Sequence, residues 1–237
     1  MSQDSKKGFT LIELMLAMTF ISVLLIAIAL TTIQISTIYT KGITLREVDQ
    51  AGRTVSDELQ RSIASSVPFN TTPKSVTTPT SKYVVRDGGG RLCLGDYSYA
   101  WNYGSALRGG AGAPAVYNKY SDGSEVRFAK VEDAGGALCA NDSVQTIDKS
   151  KASDLLTSGD RDLVMHQFTI SQTAENDEIG QALYAISMVI GTNDREQLTA
   201  NDASCKPPAE GAGDEAYCSV NQFDIVARAG NKSGGTR

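Results

Sequence analysis

The chain has 237 residues and a formal net charge of −5; 41% of the residues are hydrophobic and 21% are charged. This length suffices for one sizeable folded domain, and the acidic balance argues against a nucleic-acid-binding protein, which usually carries a basic face. The hydrophobic residues are unevenly distributed, because Glu13 is the only ionisable side chain between Phe9 and Leu30.

The apolar segment at residues 9–30 has about the length needed to cross a bilayer, for which about 20 residues suffice. Lys6 and Lys7 precede it, so the positive-inside rule places the short N-terminus in the cytoplasm and the large domain outside. A cleavable secretory signal is the alternative, but its apolar core spans only about 7–15 residues before a small-residue cleavage site. This run is longer and no convincing site closes it, so the sequence predicts a single membrane-spanning helix.

The helical pattern continues through residues 31–67, since Pro68 is the first proline of the chain. Apolar residues and one glycine recur there at steps of three or four and predict one buried stripe: Leu45, Val48, Gly52, Val55, Leu59 and Ile63. Gly42 and Gly52 each cost a helix up to about 1 kcal/mol relative to alanine. A single helix from Phe9 to about Ser66 would be about 85–90 Å long, so its outer half is predicted to leave the bilayer and pack on the C-terminal domain.

Glu13 is an energetic problem in this segment. An ionised carboxylate in hydrocarbon costs a few kcal/mol, and such residues tend to be functional or paired. The simplest alternative is an acidic side chain near the membrane edge that reaches the polar interface.

The string "KKGFTLIEL" at Lys6–Leu14, followed by the unbroken apolar run, resembles the type III signal of type IV prepilins and type II secretion pseudopilins. The motif covers residues 6 to about 30, and the long helix extends the resemblance to about residue 66. It implies that prepilin peptidase, a membrane aspartic protease, cuts after Gly8 and N-methylates Phe9, which makes residues 1–8 a basic leader. It also implies that Glu13 attracts the terminal amine of a neighbouring subunit in a filament, where an unpaired buried charge would be heavily penalised.

The chain departs from the pattern of many major pilins, which carry a proline near the middle of the apolar helix where this chain has Leu30. Several pseudopilins and minor pilins also lack that proline, so the resemblance stands. In many major pilins that proline lets part of the helix unwind in the filament. Without it, this chain gives no basis for expecting such an unwound segment.

Residues 68–237 are predicted to form a β-rich globular head. A proline- and threonine-rich stretch opens it as a linker or surface loop, and turn residues separate seven strand-like runs. These runs are Lys82–Arg86, Tyr97–Tyr103, Ala115–Tyr120, Glu125–Val131, Leu163–Ile170, Leu183–Ile190 and Gln222–Arg228. Period-two alternation in the last three favours antiparallel strands, with Val164, His166, Phe168 and Ile170 expected on one face. The predicted fold class is α+β, with the long N-terminal helix packed on an antiparallel sheet.

The four cysteines are predicted to form two disulfides in an oxidising compartment. Three pairings are possible, and Cys93–Cys139 with Cys205–Cys218 is favoured because the second pair closes a short loop rich in turn residues. Four buried free thiols are the alternative.

No residue pattern in the head indicates an enzyme or a cofactor. His166 lies on the apolar face of a predicted strand, which favours a core or pocket-edge histidine, and no nucleophile elbow supports a catalytic triad. The glycines at Gly88–Arg91 are not followed by a helical pattern, so they predict a turn and not a phosphate loop.

Two further clusters have simple structural explanations. Asp194, Asn201 and Asp202 could hold Ca²⁺, and some pseudopilins bind calcium in loops, but their spacing matches no EF-hand and a solvated turn is favoured. The aromatic cluster Tyr97, Tyr99, Trp101 and Tyr103 could be adhesive, but alternating core and rim positions on a strand account for it.

The sequence therefore predicts a structural subunit of a type IV pilus or pseudopilus. Its large head, and the similarity of "AGRTVSDELQRSIASS" at residues 51–66 to larger minor pilins of the W/J type, favour a minor, tip-associated subunit over a major one. Expected partners are other pilin subunits, prepilin peptidase and the membrane assembly platform, and not nucleic acid. The chain is expected in the inner membrane as a prepilin and then in an extracellular pilus or periplasmic pseudopilus. A membrane-anchored adhesion or ligand-binding protein that never polymerises is the alternative.

Overall fold

A computed structural model describes residues 9–75, 77–156, 161–176, 180–207 and 217–230. Lys6, Lys7 and Gly8, which the resemblance assigns to the leader and its cleavage site, lie outside these residues. Helix α1 spans Leu11–Ala64, 54 residues without interruption, so the predicted single long helix is confirmed. Thr10 caps its N-terminus, and at its C-terminus the Ser65 N–H donates to the carbonyls of Arg61 and Ile63.

The outer half of α1 packs on the head along the predicted stripe. The prediction was wrong only for the first residue of the stripe, Leu45. Val48, Val55, Leu59 and Ile63 are fully buried, whereas Leu45 is 42% exposed. Thr44 is buried in its place. Leu45 lies about 100° further around the helix than Thr44, which turns it away from the head.

The described residues of the head form two antiparallel sheets and a two-stranded parallel pair. The five-stranded sheet has the order β1-β2-β3-β5-β7 and consists of β1 Tyr83–Arg86, β2 Gly89–Cys93, β3 Tyr97–Asn102, β5 Phe128–Glu132 and β7 Ala152–Asp154. The three-stranded sheet has the order β10-β9-β8 and consists of β8 Leu163–Asn176, β9 Gln181–Thr192 and β10 Val220–Ala229. The remaining elements are α2 Gly104–Arg108, β4 Asn118–Tyr120, β6 Gln145–Ile147, and the 3₁₀ turns Ala137–Cys139 and Lys149–Lys151. The α+β fold class is thus confirmed.

The glycine string at residues 88–91 was predicted as a turn, and this is wrong for most of it. The turn is at residues 87–88, and Gly89–Cys93 continues as β2. A Cβ on Gly90 would lie 2.4 Å from Cζ2 of Trp101 on β3. The strand therefore uses glycine because the indole of its neighbour occupies the space of a side chain.

Strand β8 does not keep one face throughout, which corrects the expected alignment of Val164 and His166 with Phe168 and Ile170. A register shift between Met165 and Gln167 interrupts its pairing with β9. Met165 consequently joins the main core with Phe168 and Ile170. Val164 and His166 face α2 instead, since a Cβ on Gly104 would lie 2.8 Å and 3.0 Å from them. A bulge of this kind, which local sequence does not announce, re-aims the side chains before it.

The main core lies where α1, the five-stranded sheet and the three-stranded sheet meet. Its centre is aromatic: the rings of Trp101 and Phe168 are 4.4 Å apart, and Tyr83, Tyr99 and Phe128 surround them. The expected apolar stripe of β9 is confirmed, because Tyr184, Ile186, Met188 and Ile190 all belong to this core.

Strand β3 is buried on both faces, which revises the expectation of core and rim positions. Tyr99 and Trp101 enter the main core, and Ala100 enters a second, smaller one with Tyr120 and Val131. Only Tyr97 of the strand is exposed. The aromatic cluster is therefore mainly structural.

Both disulfides have the pairing favoured from the sequence. Cys93 bonds to Cys139, linking β2 to the first 3₁₀ turn, and Cys205 bonds to Cys218 at a separation of 13 residues.

Candidate functional site

The N-terminal half of α1 is an uncovered apolar surface. Every large hydrophobic side chain from Phe9 to Leu30 is at least 46% exposed. The most apolar window of the helix has a mean hydropathy of 2.6, and none of it is buried against the protein. By length and composition this helix could span a membrane.

The uncovered surface extends beyond a bilayer's width. Ile33, Ile35, Ile38 and Tyr39 are also exposed, and the first fully buried helix residue is Thr44. About 35 residues, or roughly 50 Å of helix at 1.5 Å per residue, precede that point. A single bilayer needs only about 20 of them, so the uncovered helix is longer than membrane insertion requires, and its exposed apolar residues beyond Leu30 alternate with polar ones such as Thr32 and Gln34.

Glu13 closes a capping box at the start of α1. Its Oε2 accepts hydrogen bonds from the Thr10 N–H at 2.9 Å and from the Thr10 hydroxyl at 2.8 Å. The Glu13 N–H in turn donates to Thr10 Oγ1 at 3.3 Å. This reciprocal arrangement satisfies backbone donors that a helix start otherwise leaves unpaired. The Thr-x-x-Glu spacing is its signature in the sequence, although the capping box was not among the features predicted above.

The outer half of α1 is seated on β10. A Cβ on Gly52 would lie 2.0 Å from the Phe223 ring. Gln60 Nε2 donates to the Val226 carbonyl at 3.2 Å, and the Asn221 amide donates to Asp49. The helix is thereby fixed to the last strand of the head by close packing and by polar contacts.

A polar cluster around Glu58 ties the same helix to the five-stranded sheet. Glu58 Oε1 accepts from Lys130 Nζ at 2.7 Å, from the Tyr99 hydroxyl at 3.0 Å and from the Ser62 hydroxyl at 3.3 Å. Burial raises the pKa of Glu58, but the hydrogen bonds from Lys130 and Tyr99 and the lysine charge outweigh it, so the pKa lies below its usual value. These residues are up to 72 positions apart, so no local sequence pattern associates them.

The three residues considered for Ca²⁺ are engaged in other contacts. Asp194 accepts from the Glu196 N–H and the Gln197 amide, and Asn201 accepts from Thr199 Oγ1 and the Ala203 N–H. Asp202 forms an ion pair with Arg108. Within the described ranges, no three His, Cys, Asp or Glu side chains cluster as a metal site would require.

His166 is a buried histidine at the back of a surface cleft, close to the expected pocket-edge position. Its imidazole is 2% exposed, and Nε2 lies 2.9 Å from the Thr192 carbonyl. Burial lowers its pKa, against smaller opposing effects of that carbonyl and of Asp202. A neutral ring follows, with the proton on Nε2 because a carbonyl only accepts.

The uncovered helix, its capped N-terminus and its seat on the head are thus the distinctive features of the described residues. No model of a protein family, no curated protein and no solved structure matches the chain. The arrangement, one long apolar helix packed on antiparallel sheets, is compatible with a pilin-like fold.

Proposed function

We propose that this chain is a structural subunit of a type IV pilus or a related pseudopilus. It is made as a membrane prepilin, cut after Gly8 by prepilin peptidase, and polymerised through its N-terminal helix. The observation that carries the proposal is the uncovered N-terminal part of the helix, about 35 residues long and apolar over residues 9–30, which begins within "KKGFTLIEL".

The length of the uncovered helix supports assembly over simple anchoring. A bilayer accounts for about 20 residues, and Ile33, Ile35 and Ile38 beyond them are left exposed by the described part of the subunit. Exposed apolar surface of this extent usually marks an interaction site. In a filament, the helices of neighbouring subunits would cover the whole length.

Within this class we propose a minor, tip-associated subunit. The head starts near residue 68 and has about 170 residues, which is larger than a compact and abundant shaft subunit needs. Its partners would be other pilin subunits and the membrane assembly platform. It would reside in the inner membrane before assembly and in an extracellular pilus or periplasmic pseudopilus afterwards.

The first test is the mass of the mature protein from cells that contain prepilin peptidase. We expect a chain that lacks residues 1–8 and carries an N-methylated Phe9. A Gly8→Val variant, whose side chain obstructs the scissile bond, should retain the leader. A wild-type protein that keeps Met1–Gly8 would exclude the proposal.

A membrane-anchored ligand-binding protein that never polymerises is the second candidate. The observation that favours it is the cleft near His166 described below, which lies on the head and away from α1. This candidate predicts an intact leader, so the same mass measurement separates the two.

A further inference from the structure

A cleft of about 420 Å³ opens in the head between α2, residues 109–114 and residues 195–206. Its lining includes three cationic side chains, Arg108, Arg195 and Lys206, and one carboxylate, Asp202. The chain as a whole carries a net charge of −5. The described lining therefore carries more positive than negative side chains on an acidic protein, and a concave site of one sign concentrates ligands of the opposite sign.

The floor of the cleft is formed by an ion pair, which is electrically neutral as a whole and is fixed by a further hydrogen bond. Arg108 and Asp202 form an ion pair with side chains only 15% and 17% exposed, and Arg108 Nη1 also donates to Asn193 Oδ1 at 2.8 Å. Asp202 has a φ of 55°, the one positive φ at a non-glycine residue among those described. Aspartate adopts this left-handed conformation more readily than most residues other than glycine.

A buried polar group lies behind the floor. His166 Nδ1 is 3.9 Å from Asp202 Oδ2 and has no hydrogen-bond partner in the described part of the chain. The imidazole is only 2% exposed and its Nδ1 is buried, so it supports the pair from behind and does not reach a ligand in the cleft. The Arg108–Asp202 pair, whose side chains are 15% and 17% exposed, itself offers both donors and acceptors, as hydroxyl groups require.

The rim supplies the free positive charge. Arg195 is exposed and forms no ion pair or hydrogen bond with any described residue. Lys206 uses one of its three donors on the Glu196 carbonyl, at 2.9 Å, which leaves two. The disulfide at Cys205, next to Lys206, and the buried Leu198 hold this rim in place.

The remaining wall consists of small residues such as Gly109 and Ala111, and none of the described lining residues is aromatic. A nucleobase would lack the stacking surface that such ligands use. The volume is that of a small-molecule site, and Ser105 adds a hydroxyl without a partner among the described residues.

We propose that this cleft binds a small hydroxylated carboxylate of the sugar-acid class. Arg195 and Lys206 bind the carboxylate, and the hydroxyls contact the Arg108–Asp202 pair and Ser105. Ligand binding takes place at the surface of the head and does not require filament assembly.

The test is isothermal titration calorimetry on the full chain in detergent, with sodium glucuronate, glucose and inorganic phosphate as probes. We expect saturable binding of glucuronate, at least tenfold tighter than that of glucose or phosphate. Glucose lacks the carboxylate and phosphate lacks the carbon-bound hydroxyls, so the two comparisons separate the two halves of the proposal. Phosphate binding as tight as that of glucuronate would overturn the sugar-acid assignment.

Arg195→Gln should weaken glucuronate binding at least tenfold with an unchanged circular dichroism spectrum and melting temperature, because the exposed Arg195 side chain has no ion pair or hydrogen bond to a described residue to lose. Arg53→Gln, which removes an exposed arginine of α1, is the matched control and should bind as the wild type does. The proposal is overturned if glucuronate does not bind saturably, or if Arg195→Gln and Arg53→Gln bind it equally well.

Discussion

The Phe223 ring on β10 occupies the space directly above Gly52 of α1. A Cβ built on Gly52 would lie 2.0 Å, 2.3 Å and 2.4 Å from three carbons of that ring. Gly52 therefore allows the helix backbone to approach the strand closely, and this contact outweighs the cost of glycine in a helix. Gly42, ten residues earlier, has no atom within 4 Å of an added Cβ.

This contrast predicts opposite effects for the same substitution. Gly52→Ala should destabilise the head by about 1–3 kcal/mol, because the overpacked Phe223 ring must shift. Gly42→Ala should cause no loss of head stability and should raise the helicity of α1, since alanine is favoured there by up to about 1 kcal/mol. Denaturant unfolding followed by circular dichroism, on the full chain in detergent, measures both.

A second substitution isolates the contact. Phe223→Ala in the Gly52→Ala background should cost less than the sum of the two single changes, as expected for residues in direct contact. Strict additivity would show that the ring does not determine the need for glycine.

The Glu58 cluster predicts a dependence of stability on acid. The pKa of Glu58 is lower in the folded than in the unfolded protein, so the unfolded state binds more protons as the pH falls. The stabilisation is fully present above the unfolded pKa of about 4.3 and is lost as the pH falls through the folded value. Glu58→Gln should lower stability by about 1–2 kcal/mol at pH 7 and reduce the acid-induced loss of melting temperature between pH 7 and 3.

Glu132→Gln, which changes an exposed acid at the end of β5, is the charge-matched control for that experiment. It should retain the wild-type acid dependence. Parallel melting curves for the wild type and Glu58→Gln across this pH range would contradict the assigned role of Glu58.

Glu13 closes the capping box of α1 and is proposed to act in assembly as well, and a pair of variants can separate these two roles. Glu13→Gln keeps a side-chain oxygen for the capping box but removes the charge proposed to attract a neighbouring Phe9 amine, whereas Glu13→Ala removes both. If charge pairing drives assembly, both variants should insert into the membrane normally and enter filaments poorly. Quantifying the subunit in sheared filaments by immunoblot measures this, and wild-type incorporation of Glu13→Gln would assign the effect to capping instead.

The two disulfides should differ in their contribution to stability. The bridges span 46 and 13 residues, and the chain-entropy relation gives about 4 kcal/mol for the longer loop and about 3 kcal/mol for the shorter one. Cys93→Ala/Cys139→Ala should therefore lower the free energy of unfolding more than Cys205→Ala/Cys218→Ala does. Denaturant midpoints without reductant give the order, and a reversed order would show that native packing around the bridges dominates.

The sequence predicted the elements whose pattern is local. The 54-residue helix follows from an unbroken apolar and then amphipathic pattern without proline, and the β9 stripe follows from strict alternation of large apolar residues. The Cys205–Cys218 pair follows from its short loop. Each of these depends on residues that are close together in the chain.

What the sequence did not predict depends on distant residues. Gly89 and Gly90 have the composition of a turn, and only the neighbouring Trp101 on β3 explains why they lie in a strand. The bulge at His166 follows from the pairing of β8 with β9. The Arg108–Asp202 pair joins residues 94 positions apart. Neither the segment around Arg108 nor the one around Asp202 has a local pattern that indicates the cleft. The acidic residues considered for calcium therefore gave no sign that they border cationic side chains.

Arg91 is a further example. It is completely buried, and its Nη2 donates to the Tyr117 hydroxyl at 2.5 Å and to the Ser143 carbonyl at 2.8 Å. Its guanidinium also lies 4.4 Å from the centre of the Tyr117 ring. A buried arginine held by a tyrosine and backbone carbonyls of distant loops is unexpected from the composition of β2, because arginine is almost never fully buried without partners.

The continuity of α1 has a mechanical consequence. From Leu11 to Ala64 no proline interrupts the helical hydrogen bonds, so the N-terminal segment and the head are joined by a stiff rod without a hinge. At the far end of the rod, the Gly230 N–H donates to the Ser66 carbonyl at 2.9 Å, which fastens the chain just beyond β10 to the end of the helix. A force or a torque applied at Phe9 is therefore transmitted along α1 to the whole head. The head consequently keeps a fixed orientation relative to the structure that binds the N-terminal part of the helix.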